Sequence, residues 1–391
     1  MNVFDYLDRR GEDSFAQIPP GAVDGLILSL LSYIPFGGLV PAGLEGAVPL
    51  ERAARQWLAL PGDCAGRVRC GEDRRLLRKL AGTPRFARME LACAAGRFDP
   101  EEESQFAALA ILTGDGSAFL SFRGTDNTLV GWKEDFNMSF LEVVPAQKAA
   151  AEYVRKFCQR FPGPLTLGGH SKGGNLAACA AAMAPARCRD RVRTVYSFDG
   201  PGFSSALLSR PGYWEMLTRL KTFIPQSSVV GLLLAREEPY TVVYSDRAGL
   251  LQHDPYSWQV KGDGFLCLEE VTLGSRLVDR TLKDWLAGLT PEQREETVDA
   301  LFSLLTSGGA DRLDQALRPQ HLAAALPALP PEVQATLARS LGGLLRSGLR
   351  AVRGGGRGGG PPMQDTASRA SAYRPAACLN NRSAGVFTAP N

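Results

Sequence analysis

The chain has 391 residues, enough for one large α/β domain with additions or for two domains. Its 45% hydrophobic and 22% charged residues suit a soluble globular protein, and a net charge of +3 is too near neutral to point to a nucleic-acid partner. The scarcity of histidine (His170, His253 and His321) argues against a histidine-rich metal site and leaves three candidates for any histidine-dependent chemistry.

The first residues, Met1–Arg10, carry no basic-then-apolar signal pattern. The longest apolar stretches, around Leu26–Ile34 and Val229–Ala235, are shorter than a bilayer span. A cytoplasmic protein without stable membrane insertion is expected. Its cysteines, Cys64, Cys70, Cys93, Cys158, Cys179, Cys188, Cys267 and Cys378, form no Cys-x-x-Cys pair and are expected as reduced thiols, several of them buried.

In chain order, Val23–Ile34 reads as a buried helix ended by Pro35. Short helices are expected near Glu51–Leu60 and Arg74–Leu80, and Asp99–Glu103 reads as a solvated turn. Phe106–Thr113 and Ser117–Phe122 flank Gly114-Asp115-Gly116, the signal of a β-hairpin. Leu129–Leu141 reads as a loop, and Pro145–Phe161 as an amphipathic helix with Ala149, Tyr153, Phe157 and Phe161 on one face. Leu165–Ala177 then reads as strand, tight glycine-flanked turn and small-residue helix, and Val192–Phe198 as a strand delivering Asp199 at its end. A helix around Tyr213–Leu220, a strand Lys221–Ile224 and an alternating strand Tyr240–Ser245 follow. Val229–Ala235 reads as a buried strand or helix, with an acyl pocket or lid as the alternative. Two amphipathic helices are expected over residues 274–307 and a further helical pair over 319–350. The stretch from 351 to 391, with Arg353 and Arg357 among glycines, reads as a disordered, solvated tail.

Strand and helix alternate through the middle of the chain, which predicts a parallel sheet with crossover helices and functional residues at the C-terminal strand ends. Gly169-His170-Ser171-Lys172-Gly173 fits the G-x-S-x-G turn that presents a nucleophilic serine between a strand and a helix. A serine hydroxyl is a poor nucleophile without a base, and the base needs an orienting carboxylate. Ser171, Asp199 and His253 follow the chain order serine, acid, histidine. Asp246 competes for the role of acid, while Asp254 adjoins the histidine too closely, and His170 as the nucleophile's neighbour points away from it. The oxyanion of a tetrahedral intermediate needs two N–H donors, assigned to the backbones of Lys172 and Thr125. The Lys172 side chain reads as solvated, with pairing to an acidic group or a substrate as the alternative.

Phe122-Arg123-Gly124-Thr125, Trp132-Lys133-Glu134-Asp135 and Gly169–Gly174 together resemble the class 3 lipases. Over roughly residues 2–310 the chain resembles the Mbeg-like family, a bacterial family of unknown function placed with the lipase-like α/β-hydrolases. Val23–Tyr33, Ile224–Gly231 and Gln252–Trp258 carry that resemblance. It implies an α/β-hydrolase fold: a mostly parallel central sheet flanked by helices, with extra N- and C-terminal helices. The lipase acid sits on a later loop, and the matching Pro225–Val230 here has no carboxylate.

The expected organisation is a hydrolase domain over 1–310, with a mostly helical part over 1–104 and the sheet core over 105–265, then a helical extension over 311–350 and the tail. The expected activity is cleavage of a small-molecule or lipid-like acyl ester by Ser171, His253 and Asp199, with no metal or cofactor. A hydrolase-fold binding or scaffold protein without turnover is the alternative, and an amidase or peptidase on the same triad is a third reading.

Overall fold

A computed structural model describes residues 1–61 and 68–354. Helices α1 (Val3–Arg10), α2 (Ala22–Leu30), α3 (Leu50–Ala59) and α4 (Gly71–Ala81) lie in the N-terminal part. The residues of α2 from Val23 to Leu30 are all buried, as the apolar density predicts. Its one charge, Asp24, is met by Arg85 at 2.8 Å with both side chains fully buried. Tyr6 Oη and the Gly21 N–H donate to the same carboxylate at 2.9 and 2.8 Å. Such a pair adds little net stability over an apolar substitute, but either charge left alone would be costly, so the pair fixes where α2 sits.

Among the described residues the central sheet has nine strands, whose spatial order equals their chain order. They are β1 (Val48–Pro49), β2 (Glu90–Asp99), β3 (Ser104–Leu112), β4 (Ala118–Phe122), β5 (Leu165–His170), β6 (Val192–Phe198), β7 (Leu220–Pro225), β8 (Tyr240–Val243) and β9 (Cys267–Leu268). Strands β4 to β8 run parallel, and the pairs at both edges are antiparallel. Crossovers run through α5 (Leu129–Asn137), α6 (Pro145–Arg160) and α7 (Lys172–Met183). One apolar cluster, holding Leu26, Ile27, Leu30 and Phe198, joins α2 to the sheet, and a second, holding Val154, Phe157, Leu167 and Leu176, joins it to α6 and α7. This is an α/β-hydrolase fold, a mostly parallel sheet flanked by helices. In register, Phe122 faces Gly169 and His170 faces Phe198, so the loops leaving β4, β5 and β6 open at one end of the sheet.

Further helices follow, the longer ones being α8 (Leu273–Ala287), α9 (Pro291–Thr306), α10 (Pro319–Ala328) and α11 (Pro331–Gly354). The turn after α9 closes on the start of α5. There the Leu129 N–H donates to Asp311 O at 2.9 Å and the Leu313 N–H to Asn127 O at 3.0 Å. Val298, Phe302 and Leu305 pack with Leu129 beneath it. Among the described residues no helix is long and apolar enough to cross a membrane.

Several sequence expectations differ from the structure, among them the sheet core expected over 105–265, which reaches from Val48 to Leu268. β2 is a ten-residue strand in a region expected to be partly helical. Its small residues and a register shift between Ala92 and Ala95, with Cys93 at φ +50°, hide the alternation that marks a strand. The stretch expected as a loop at Leu129–Leu141 opens with helix α5, capped by Thr128 Oγ1 accepting from the Gly131 N–H at 3.2 Å. Val229–Ala235 is neither a regular strand nor a long helix but a single 3₁₀ turn, Val230–Leu232, with Leu234 at φ +63°. Residues 351–354, expected as the start of the tail, continue helix α11, while the tail beyond Gly354, including Arg357 and Cys378, and the segment with Cys64 lie outside the described residues.

Candidate active site

Ser171 stands between β5 and α7 with φ +58° and ψ −135°, a strained conformation for a residue with a Cβ. Its N–H donates to Phe198 O at 2.8 Å, which ties the turn to β6. Glycine is required on both sides of it. A Cβ on Gly169 would meet Gly173 C at 2.2 Å, and one on Gly173 would meet Phe122 O at 2.1 Å. The strained serine at a helix N-terminus therefore follows directly from the Gly-x-Ser-x-Gly spacing.

His253 closes a 3₁₀ turn, Gly249–His253, at the same end of the sheet. Its Nδ1 lies 2.6 Å from Asp199 Oδ2. Asp199 is almost wholly buried at the end of β6 and also has a positive φ, +50°. A carboxylate only accepts, so Nδ1 donates this bond, and in the neutral imidazole the lone pair is then on Nε2. The other carboxylate oxygen, Oδ1, accepts from Ser228 Oγ at 2.5 Å and from the Gly231 N–H at 3.1 Å. Thus the Pro225–Val230 segment, which lacks a carboxylate of its own, supplies a hydroxyl to the carboxylate that reaches His253 from β6. Asp246 is placed elsewhere, accepting from Gln259 Nε2 at 3.0 Å, and Asp254 is taken up by Arg69 and Arg247.

The backbone of His253 is held from below. His170 Nε2 donates to His253 O at 2.8 Å, and Tyr33 Oη lies 3.1 Å from His170 Nδ1. Since the carbonyl can only accept, Nε2 bears the hydrogen and Nδ1 accepts from the tyrosine. Burial, followed by the nearby His253 and Arg69, pushes His170 well below the usual histidine value, which keeps it neutral. The two imidazole rings lie 4.6 Å apart between centroids. His170 thus faces the histidine turn as a positioning residue. His321 lies in the C-terminal helices, bonded to Leu305 O.

Neither the Thr125 nor the Lys172 N–H is used by a hydrogen bond among the described residues. The Thr125 side chain is fixed, its Oγ1 donating to Asp135 Oδ2 on α5. Burial pushes the Asp135 carboxyl up to about 6, against the opposing pull of Lys172 and of the Thr125 hydroxyl.

The Lys172 side chain corrects the expectation of a solvated lysine. It is fully buried, with Nζ 2.9 Å from Glu134 Oε2 and 3.0 and 3.1 Å from Gln105 O and Oε1. Glu134, equally buried, also accepts from the Gln105 N–H at 2.9 Å and the Ala146 N–H at 2.8 Å. The network joins the serine turn to α5, β3 and α6. His170, Tyr33, Ser228, Glu134 and Asp135 carry no mark of these roles in their local sequence. The motifs Trp132–Asp135, Val23–Tyr33, Gly169–Gly174 and Ile224–Gly231 contain these residues, but none of them signals which partner each residue meets.

Ser171 Oγ makes no hydrogen bond among the described residues, and neither does His253 Nε2. A direct serine–histidine bond is therefore absent from this arrangement. Such bonds often tighten only when substrate is bound.

The chain matches the Mbeg1-like family over residues 80–303, a span that includes Thr125, Ser171, Asp199 and His253. It belongs to the Mbeg1-like family. No curated protein matches it. Among solved structures it is similar to M37 lipase, at 14% identity and TM-score 0.34, covering 53% of this chain and 68% of that one. A triacylglycerol lipase described as having a serine protease triad matches at 11% identity and TM-score 0.34, over 56% of this chain and 78% of that one. Lip2 lipase from Yarrowia lipolytica matches at 10% identity and TM-score 0.33, over 61% of this chain and 93% of that one.

Proposed function

We propose that this Mbeg1-like protein is a serine hydrolase that cleaves a carboxylic (acyl) ester through an acyl-enzyme. The observation that carries this reading is the Asp199–His253 hydrogen bond beside a strained Ser171. In the proposed reaction Ser171 Oγ attacks the ester carbonyl while His253 Nε2 takes its proton. The carbonyl oxygen becomes an oxyanion facing the Thr125 and Lys172 N–H groups. Each such donor is worth about 10²–10³ in rate. Collapse breaks the bond to the leaving alkoxide, which receives the proton from His253. Water, deprotonated by the same histidine, then releases the acid and regenerates Ser171.

An ester with a chromogenic leaving group tests the scheme. A burst stoichiometric with protein before the steady state is expected, and Ser171→Ala should abolish it. Steady turnover unaffected by that substitution would refute the role of Ser171. A binding protein without turnover is the second reading, favoured by the missing bond between Ser171 Oγ and His253. In that case no burst would occur, although the folded protein would still bind the ester.

A further inference from the structure

We propose that α11 is a docking helix for an anionic lipid surface. It lies antiparallel to α8: a Cβ on Gly343 would touch Trp285 at 3.2 Å, and one on Gly348 would touch Thr281 at 3.7 Å. Ser347 and Ala351 are buried on that side. Leu341, Leu345, Leu349 and Val352 are instead between 58% and 62% exposed. Their spacing of four, four and three residues places them in one stripe, about 16 Å long at the rise of a helix. Arg339, Arg346 and Arg350 are exposed along one flank of the stripe. None of the three pairs with a carboxylate among the described residues: Arg339 bonds Thr336 and Arg350 bonds Ser347. The single acidic residue of the described helix, Glu332, sits at its start.

Charge and side-chain type select the occupant. A second copy of the chain would bring like charges together. A folded protein partner is met mainly by aromatic anchors, whereas this stripe is aliphatic throughout. Aliphatic side chains entering the acyl boundary, with arginines reaching out to phosphate, is the chemistry of an interfacial helix. The helix pair also reaches the proposed site, because the Thr272 N–H at the start of α8 donates to Gln226 O at 2.7 Å and Ser275 Oγ donates to Ser228 O.

The test is flotation of the full-length protein with vesicles of phosphatidylcholine alone, or of phosphatidylcholine mixed with phosphatidylglycerol. Wild type should float with the mixed vesicles only and be released by salt. R346Q/R350Q should bind roughly thirtyfold more weakly, since each basic residue near an anionic surface contributes about fivefold. L345D/L349D should lose binding altogether. Both variants should keep the wild-type circular dichroism and the same hydrolysis of a soluble ester. Flotation needs no turnover, so its outcome is independent of the hydrolase reading. The proposal is overturned by equal binding to neutral vesicles, by binding unchanged in either variant, or by a lipid-indifferent dimer that L345D/L349D dissociates.

Discussion

Replacing Asp199 by Asn keeps the shape of the site and inverts its proton logic. In the wild type, Oδ1 accepts from Ser228 Oγ and the Gly231 N–H, while Oδ2 accepts from His253 Nδ1. The Gly231 N–H can only donate, so the amide of Asn must place its oxygen there. Its NH₂ then faces His253 Nδ1, which has to become an acceptor. The proton moves to Nε2, and the imidazole can no longer take a proton from Ser171. A wrong tautomer of this kind costs about 10⁴ in kcat, or about 5–6 kcal/mol of barrier. Stability should change little, since the donors on Oδ1 keep an acceptor and the buried charge is removed. The assay is kcat on a soluble nitrophenyl ester, with a urea melt as the control for folding. Retention of more than about a tenth of wild-type kcat in D199N would refute the assignment of Asp199 and the tautomer argument with it.

Two further consequences concern the supports of the site. Lys172→Met strands the Glu134 carboxylate in the core, and the loss of stability in urea should be about 3–5 kcal/mol, much of it recovered in the double variant with Glu134→Gln. Asp135, whose carboxyl is raised by burial from 3.8 to about 6, binds its proton more tightly folded than unfolded. Its contribution to stability is therefore present below pH 4 and lost as the pH rises to about 6. The stability of wild type relative to Asp135→Asn, followed by denaturant titration across that window, should fall by up to about 3 kcal/mol; a difference independent of pH would contradict it.

What the sequence makes legible here is what a few neighbouring residues decide. Gly169 and Gly173 are needed by their immediate contacts, so the Ser171 turn can be read from five residues. The β3–β4 hairpin follows from Gly114-Asp115-Gly116 in the same way. The supports are set by residues far apart in the chain. Lys172 reads as solvated because its partners, Glu134 and Gln105, lie 38 and 67 residues away, and nothing near Ser171 signals that they meet. Asp199 and Asp246 each follow a strand. Only the position of the β7 loop beside β6, bringing Ser228 and Gly231 to the carboxylate, separates them. Helix α5 escapes a reading based on apolar spacing because a buried acid occupies a position where the pattern expects an apolar residue.

The central claim is that Ser171 is a nucleophile activated by His253, and covalent labelling tests it most directly. A fluorophosphonate probe should label the folded wild-type protein at Ser171, with labelling abolished in Ser171→Ala and strongly slowed in His253→Ala. Folded wild-type protein that takes no label, or labelling that persists in Ser171→Ala, would contradict the account.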